Sequence, residues 1–171
     1  MNVNYNGNLI SSTSPFIDTS NRAFRYGDSI FETILIHKGR PLYIEDHFER
    51  LLKASSYLKM KLPRQIDATY FAEAIVNLYQ NGNFKNDVRI RFTLFRSGGG
   101  FYHPLKNDAE FLIECFELQN SGYQWHPSGL HCGFYNDERK SISPLSNFKT
   151  DRKSTRLNSS HVSESRMPSS A

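Results

Sequence analysis

An α+β fold, with helices laid over an antiparallel sheet, is the class the sequence predicts, and three observations predict it. Strand-like runs come in pairs around tight turns, first at Asn6-Gly7 and again at Lys38-Gly39. Two segments of helical periodicity follow. Two further strand-like runs come after those. Strands, then helices, then strands, joined by hairpins instead of regular βαβ alternation, place helices on an antiparallel sheet.

Taken in order, the first short strands flank Asn6-Gly7, a dipeptide suited to the positive φ angles of a tight hairpin. Ser29 to His37 is rich in β-branched and aromatic residues, and Arg40 to Ile44 follows Lys38-Gly39 as its partner strand. From Glu45 to Met60 the period becomes helical, with Phe48, Leu51, Leu52, Ser55 and Leu58 on an apolar face and acids at the start. Pro63 bars continuation. Asp67 is placed to cap a second helix carrying Phe71, Ala74, Ile75 and Leu78, which ends near Gly82. Strands are expected over Val88 to Phe95 and Glu110 to Leu118, around a loop holding Gly98-Gly99-Gly100. Alternation sends Arg89 and Arg91 to one solvated face of the first of them.

Residues 1–118 therefore read as one α+β domain and the polar, irregular stretch 119–128 as an interdomain linker. Residues 129–150 read as the start of a second domain, opening with a strand-like run from Gly129 to Tyr135. Beyond Thr150 the composition turns Ser-rich and loses periodicity. Read back into codons, 151–161 and 165–171 match the two ends of a sequencing-library adapter, so a non-native tail is expected over 151–171. Composition alone leaves an ordinary disordered terminus open for the same residues.

With 38% hydrophobic and 13% aromatic residues, the chain is too rich in large apolar groups to be disordered. No run approaches the roughly 20 apolar residues of a membrane helix. The N-terminus lacks a signal peptide's basic start and apolar run, so a soluble cytoplasmic protein is expected. The net charge is +4, and half of that excess falls within 151–171. What remains is spread thinly, which argues against a nucleic-acid-binding patch. Cys115 and Cys132 stand singly in strand-like segments, so buried free thiols are expected, with no metal site.

Four ordered motifs stand out: Arg22-Ala23-Phe24-Arg25-Tyr26-Gly27-Asp28-Ser29-Ile30-Phe31-Glu32-Thr33, Glu45-Asp46-His47-Phe48-Glu49-Arg50-Leu51, Val88 to Arg96, and Ser146-Asn147-Phe148-Lys149-Thr150. Each is short, and their order and separation carry the signal. Together they resemble the class IV, or fold type IV, pyridoxal-phosphate enzymes, which include branched-chain and D-amino-acid aminotransferases and aminodeoxychorismate lyase. The resemblance implies that residues 1–118 form the small N-terminal domain of that fold, and that the second, cofactor-holding domain is truncated just after the catalytic lysine.

The resemblance places Lys149 in Schiff-base linkage with pyridoxal 5'-phosphate. That chemistry needs an amine that can lose its proton and later shuttle one at the substrate α-carbon. A solvated loop lysine is the reading without the motif. Arg50 corresponds to the cofactor-phosphate ligand, for which a guanidinium fork is suited. It lies on the stripe His47, Arg50, Ala54, and without the resemblance it reads as a helix arginine paired with Asp46. Phe31 falls where relatives carry an aromatic residue in the substrate cleft, and core packing is equally open to it. Arg96 and His103 flank the glycine loop where some relatives contact the substrate carboxylate, and exposed loop residues are the alternative for both. Certain D-amino-acid aminotransferases place Arg two residues before that His, and here Phe101 stands there.

The function implied is amino transfer from a branched-chain-like or D-amino acid to a 2-oxo acid, by an enzyme that is homodimeric when full length. Aminodeoxychorismate lyase is the alternative. A reading from a different class is a non-catalytic nucleic-acid-binding domain using Arg89, Arg91 and Arg96 with neighbouring aromatics. In the family, the acid that pairs with the pyridine nitrogen and the rest of the phosphate cup lie downstream of the lysine, so the chain as written is expected to be inactive.

Overall fold

The computed structural model describes residues 1–119, 127–133 and 148–150. Six strands form one antiparallel sheet in the order β2-β1-β6-β5-β3-β4. They are β1 (Asn2–Tyr5), β2 (Asn8–Ser11), β3 (Ser29–His37), β4 (Arg40–Pro41), β5 (Val88–Arg96) and β6 (Ala109–Glu117). Both hairpins form as their turn residues require: Asn6 and Gly7 stand at φ 50° and 93°, and Lys38 and Gly39 at 48° and 78°. The helices are α1 (Arg22–Tyr26), α2 (Ile44–Tyr57) and α3 (Ala68–Gln80).

Helices α2 and α3 cover one face of the sheet. Alternation delivers Ile30, Ile34 and Ile36 of β3, Ile90, Phe92 and Leu94 of β5, and Phe111 and Ile113 of β6 to that face, where they meet Leu51, Phe71, Ile75 and Leu78. Phe48, Phe71, Phe92 and Phe111 form a chain of ring contacts across the layer, with centroids 5.3, 4.7 and 5.4 Å apart. The Asp67 carboxylate accepts from the Tyr70 N–H at 2.8 Å and starts α3 as its sequence predicts.

Several expectations are corrected. The partner strand after Lys38-Gly39 is only Arg40–Pro41: Tyr43 turns left-handed at φ 54°, and Ile44 already belongs to α2. On α2, Leu52 is 39% exposed while Ala54 is buried, so the stripe His47, Arg50, Ala54 is turned toward the sheet. Arg22–Tyr26 forms a short helix that has no apolar periodicity. Its sequence signals are the caps, with Asn21 accepting from the Ala23 N–H and Gly27 in the left-handed conformation.

Residues 129–133 form no strand and are exposed, and Tyr135 lies outside the described residues. Cys132 is accordingly a free, exposed thiol. Cys115 is buried in β6, where desolvation pushes its thiol up to about 12. Most of the linker, 120–126, and the whole tail, 151–171, also lie outside the described residues.

Candidate active site

One acid interrupts the apolar row that β3 turns toward α2. Glu32 sits between Ile30 and Ile34 and is 2% exposed. A carboxylate so placed must find partners, because the cost of an unpaired buried charge is several kcal/mol. Helix α2 supplies them from successive turns: Arg50 donates to it through Nε at 2.8 Å and Nη2 at 2.6 Å, and the Nδ1 of His47 lies 2.8 Å from Oε2. Arg50 is thus held by Glu32 across the layer, and Asp46, its partner in the reading made without the resemblance, acts on it only through its charge.

Burial drives the Glu32 carboxyl up, but the hydrogen bonds from His47 and Arg50, with the charges of Arg50 and Lys149, outweigh it and leave it below its ordinary range. A depressed native pKa means that this stabilisation is complete above the ordinary carboxylate range and is lost as pH falls through the depressed value. The stability difference between the chain and Glu32→Gln, read by urea denaturation, is therefore expected to be largest at neutral pH and to shrink on acidification. A difference that stays constant down to the lowest pH at which the fold survives would contradict the pairing.

Lys149 reaches the same end of the sheet. Its carbonyl accepts from the Phe31 N–H at 2.9 Å, and Thr150 forms an antiparallel bridge with Ile30. This added pairing occupies the edge of β3 that β4 leaves open, since β4 reaches only Ile36 and His37. Phe148 packs on Tyr57 of α2 at 5.6 Å, and Thr150 is buried. Between these two anchors the Lys149 side chain is exposed.

Phe31 points to the other face of the sheet, where it is half-buried. The Arg91 guanidinium lies 3.8 Å from its ring centroid, a diagonal cross-strand neighbour in the β3–β5 register. Core packing does not hold Phe31, since the core is on the opposite face. The expected solvated arginine face is realised only by Arg89, which is exposed; Arg91 is half-buried.

Arg96 is placed differently from both readings its sequence position left open. It is 6% exposed, and it donates to Asp28 at 3.0 Å, to Asn107 at 2.6 Å and to the carbonyls of Leu58 and Lys59 at 2.7 and 3.4 Å. A cation on those carbonyls complements the C-terminal end of α2. Arg22, 8% exposed, shares Asp28 at 2.7 Å and binds the Phe101 carbonyl at 2.6 Å. One buried carboxylate with two arginines therefore ties the glycine loop to α1 and α2. With Arg96 buried, Arg89, Arg91 and Arg96 do not share a surface, which removes one of the three residues named for a nucleic-acid-binding face. His103 is exposed in the loop, and its carbonyl would lie 2.4 Å from any Cβ at Gly100, which stands at φ 114°. Only glycine fits there.

The structure therefore brings Lys149, Phe31 and Arg50 to the start of β3, and adds Glu32 and His47, to which sequence reasoning assigned no role in the site, and Arg91, to which it assigned only a solvated or nucleic-acid-facing one. A signal for Glu32 was available: it is the lone acid at an inward position of an alternating strand, and such an acid demands a partner.

Residues 29–157 match a family model described as amino-transferase class IV. Over 62 residues the chain is 29% identical to D-alanine aminotransferase of Bacillus licheniformis, covering 36% of this chain and 22% of that protein. Its fold is similar to the branched-chain aminotransferase of the archaeon Thermoproteus uzoniensis solved with norvaline, at TM-score 0.62 and 22% identity, over 68% of this chain and 40% of that one. It is also similar to the branched-chain amino acid aminotransferase of Thermobaculum terrenum in its PLP form, at TM-score 0.58 and 17% identity, over 68% and 39%. At those identities the structural likeness speaks for the fold alone, and the chain spans less than half the length of each relative. The family match covers most of the chain and takes in β3 with Phe31 and Glu32, the helix carrying Arg50, and Lys149. This chain belongs to the class IV aminotransferase family.

Proposed function

We propose that the protein carrying this chain is a pyridoxal-phosphate-dependent aminotransferase that moves an amino group from an amino acid to a 2-oxo acid. The observation that supports this reading most is the strand pairing of Lys149 with Phe31, which brings Lys149 close enough to the Glu32–Arg50 pair for its charge to act on the Glu32 carboxyl. The donor set fits the cofactor. Arg50 offers a permanent, planar cation to phosphate, with its side chain 36% exposed, and Lys149 offers an exposed amine for an aldehyde.

When bound, pyridoxal phosphate supplies the electron sink that acidifies the substrate α-carbon. The amine of Lys149 takes that proton and returns it. Arg50 holds the phosphate end. Phe31 and Arg91 stand on the sheet face away from the helices, where an aromatic wall with a weakly hydrated cation beside it suits the side chain and carboxylate of an amino acid. A branched-chain-like or D-amino acid is the substrate class we propose, the local similarity to the D-alanine aminotransferase of Bacillus licheniformis supporting the second of these. A second copy would find its packing surface on α1 and the glycine loop, where Phe24, Phe101, Tyr102 and Leu105 are all more than 70% exposed.

Arg50→Ala in the full-length enzyme tests the assignment. Each charge-assisted bond to phosphate contributes about 1.5–3 kcal/mol, so affinity for the cofactor is expected to fall about ten- to hundredfold per bond lost. Unchanged affinity by titration would return Arg50 to a purely structural role.

A further inference from the structure

Glu32 and Arg50 are paired asymmetrically. The carboxylate end is closed, with the Glu32 side chain 3% exposed, while the guanidinium end is open, with that of Arg50 at 36%. Both carboxylate oxygens are engaged, Oε1 by Nε and Oε2 by Nη2 of Arg50. A planar fork gripped along its Nε/Nη2 edge has its plane and direction fixed, and its remaining Nη1 edge turns away from the gripping carboxylate. His47 closes the arrangement. Its Nδ1 lies 2.8 Å from Glu32 Oε2 and 2.8 Å from Arg50 Nη2. A ring nitrogen can donate to the first or accept from the second but not both, so the proton on His47 selects which partner it braces. The segment carrying Lys149 is bonded to the residue next to Glu32, so the open edge of Arg50 and the Lys149 amine are set from one strand.

We propose that Glu32 is the positioning residue for Arg50: its two-point grip aims the outer edge of the guanidinium at the cofactor phosphate, and His47 braces the carboxylate that does so. The inference rests on Arg50 being the phosphate ligand. Charge alone makes the opposite prediction. Glu32 neutralises Arg50 at close range, so removing its charge would strengthen attraction for a phosphate if placement did not matter. Positioning and charge therefore differ in the sign of the effect.

The test uses the full-length enzyme stripped of cofactor, with dissociation constants measured for pyridoxal 5'-phosphate and for pyridoxal, which lacks the phosphate. Glu32→Gln is expected to weaken the phosphorylated form about tenfold, the cost of leaving one long side chain to find its own rotamer, and to leave pyridoxal unchanged. In the Arg50→Ala background the same substitution is expected to add no further loss. Unchanged or tighter phosphate-form binding by Glu32→Gln, with Arg50→Ala still defective, overturns the positioning role and leaves the Arg50 assignment standing. Equal losses for both ligands make Glu32 merely structural and overturn the role as well. If Arg50→Ala shows no phosphate-selective loss, the assignment of Arg50 itself fails. Should Glu32→Gln not fold, Glu32→Asp keeps the charge but withdraws the carboxylate by one methylene. It must then show the same phosphate-selective loss, and an unchanged ratio of the two constants refutes the proposal.

Discussion

Replacing Lys149 with alanine in the full-length enzyme is expected to abolish its visible cofactor band while leaving the fold intact. The two halves of that expectation have separate physical grounds. Lys149 contributes to the fold through its backbone, whose carbonyl accepts from the Phe31 N–H, and alanine preserves that bond. The anchoring side chains are its neighbours, Phe148 against Tyr57 and the buried Thr150. An exposed side chain removed from such a site changes stability by about 0.5 kcal/mol or less. A Schiff base, by contrast, needs a primary amine, which alanine cannot supply. Borohydride reduction of the wild-type enzyme followed by peptide mapping should find the cofactor on Lys149, and an adduct on any other lysine would sink the assignment.

The fold was legible in the sequence wherever local pattern and tertiary packing ask for the same thing. Alternation in β3, β5 and β6 and the apolar stripe of α3 are of this kind, as is the Asp67 cap. Leu52 misled because two faces of α2 carry leucines, and only the approach of β3 decides which of them is inward. Residues 129–133 misled for a different reason. Their composition suits a strand, but a strand exists only when an edge receives it, and the edge that β4 leaves open is taken by Lys149 and Thr150 instead.

The site was legible one residue at a time but not as an arrangement. Lys149 and Arg50 are named as candidates by residue type and motif. What connects them is Glu32, and its role depends on Arg50 lying one layer above it, a relation between β3 and α2 that no spacing along the chain encodes. Arg91 was read as solvated beside Arg89: alternation does put the two on one face, but Arg91 is half-buried there. Its stacking on Phe31 depends on the register of β3 with β5, in which Phe31 opposes Thr93 and Thr33 opposes Arg91. The burial of Arg96 was not legible because a loop-flanking arginine is usually exposed, whereas here Asp28 and the end of α2 draw it inward.

That last placement yields the largest expected effect on stability. Asp28 is 5% exposed and accepts from both Arg22 and Arg96, which are themselves buried. Removing the shared carboxylate leaves two cations desolvated, with the carbonyls of Phe101, Leu58 and Lys59 and the Asn107 amide as their remaining hydrogen-bond partners among the described residues. Losing one partner of a buried pair costs about 3–5 kcal/mol, against a total of about 5–15 kcal/mol for a domain. Asp28→Ala is therefore expected to cut the urea midpoint sharply and to accelerate hydrogen exchange in both the 97–108 loop and the end of α2, since Arg22 holds the Phe101 carbonyl and Arg96 those of Leu58 and Lys59. Arg96→Met separates this account from substrate binding. It leaves Asp28 paired with Arg22, so as a structural clamp it should lower the midpoint by less than Asp28→Ala and loosen the same two segments, with KM moving only as the loop loosens. If Arg96→Met in the full-length enzyme instead raises KM with the midpoint and the exchange pattern unchanged, then Arg96 serves the substrate carboxylate and the clamp is not what holds the loop.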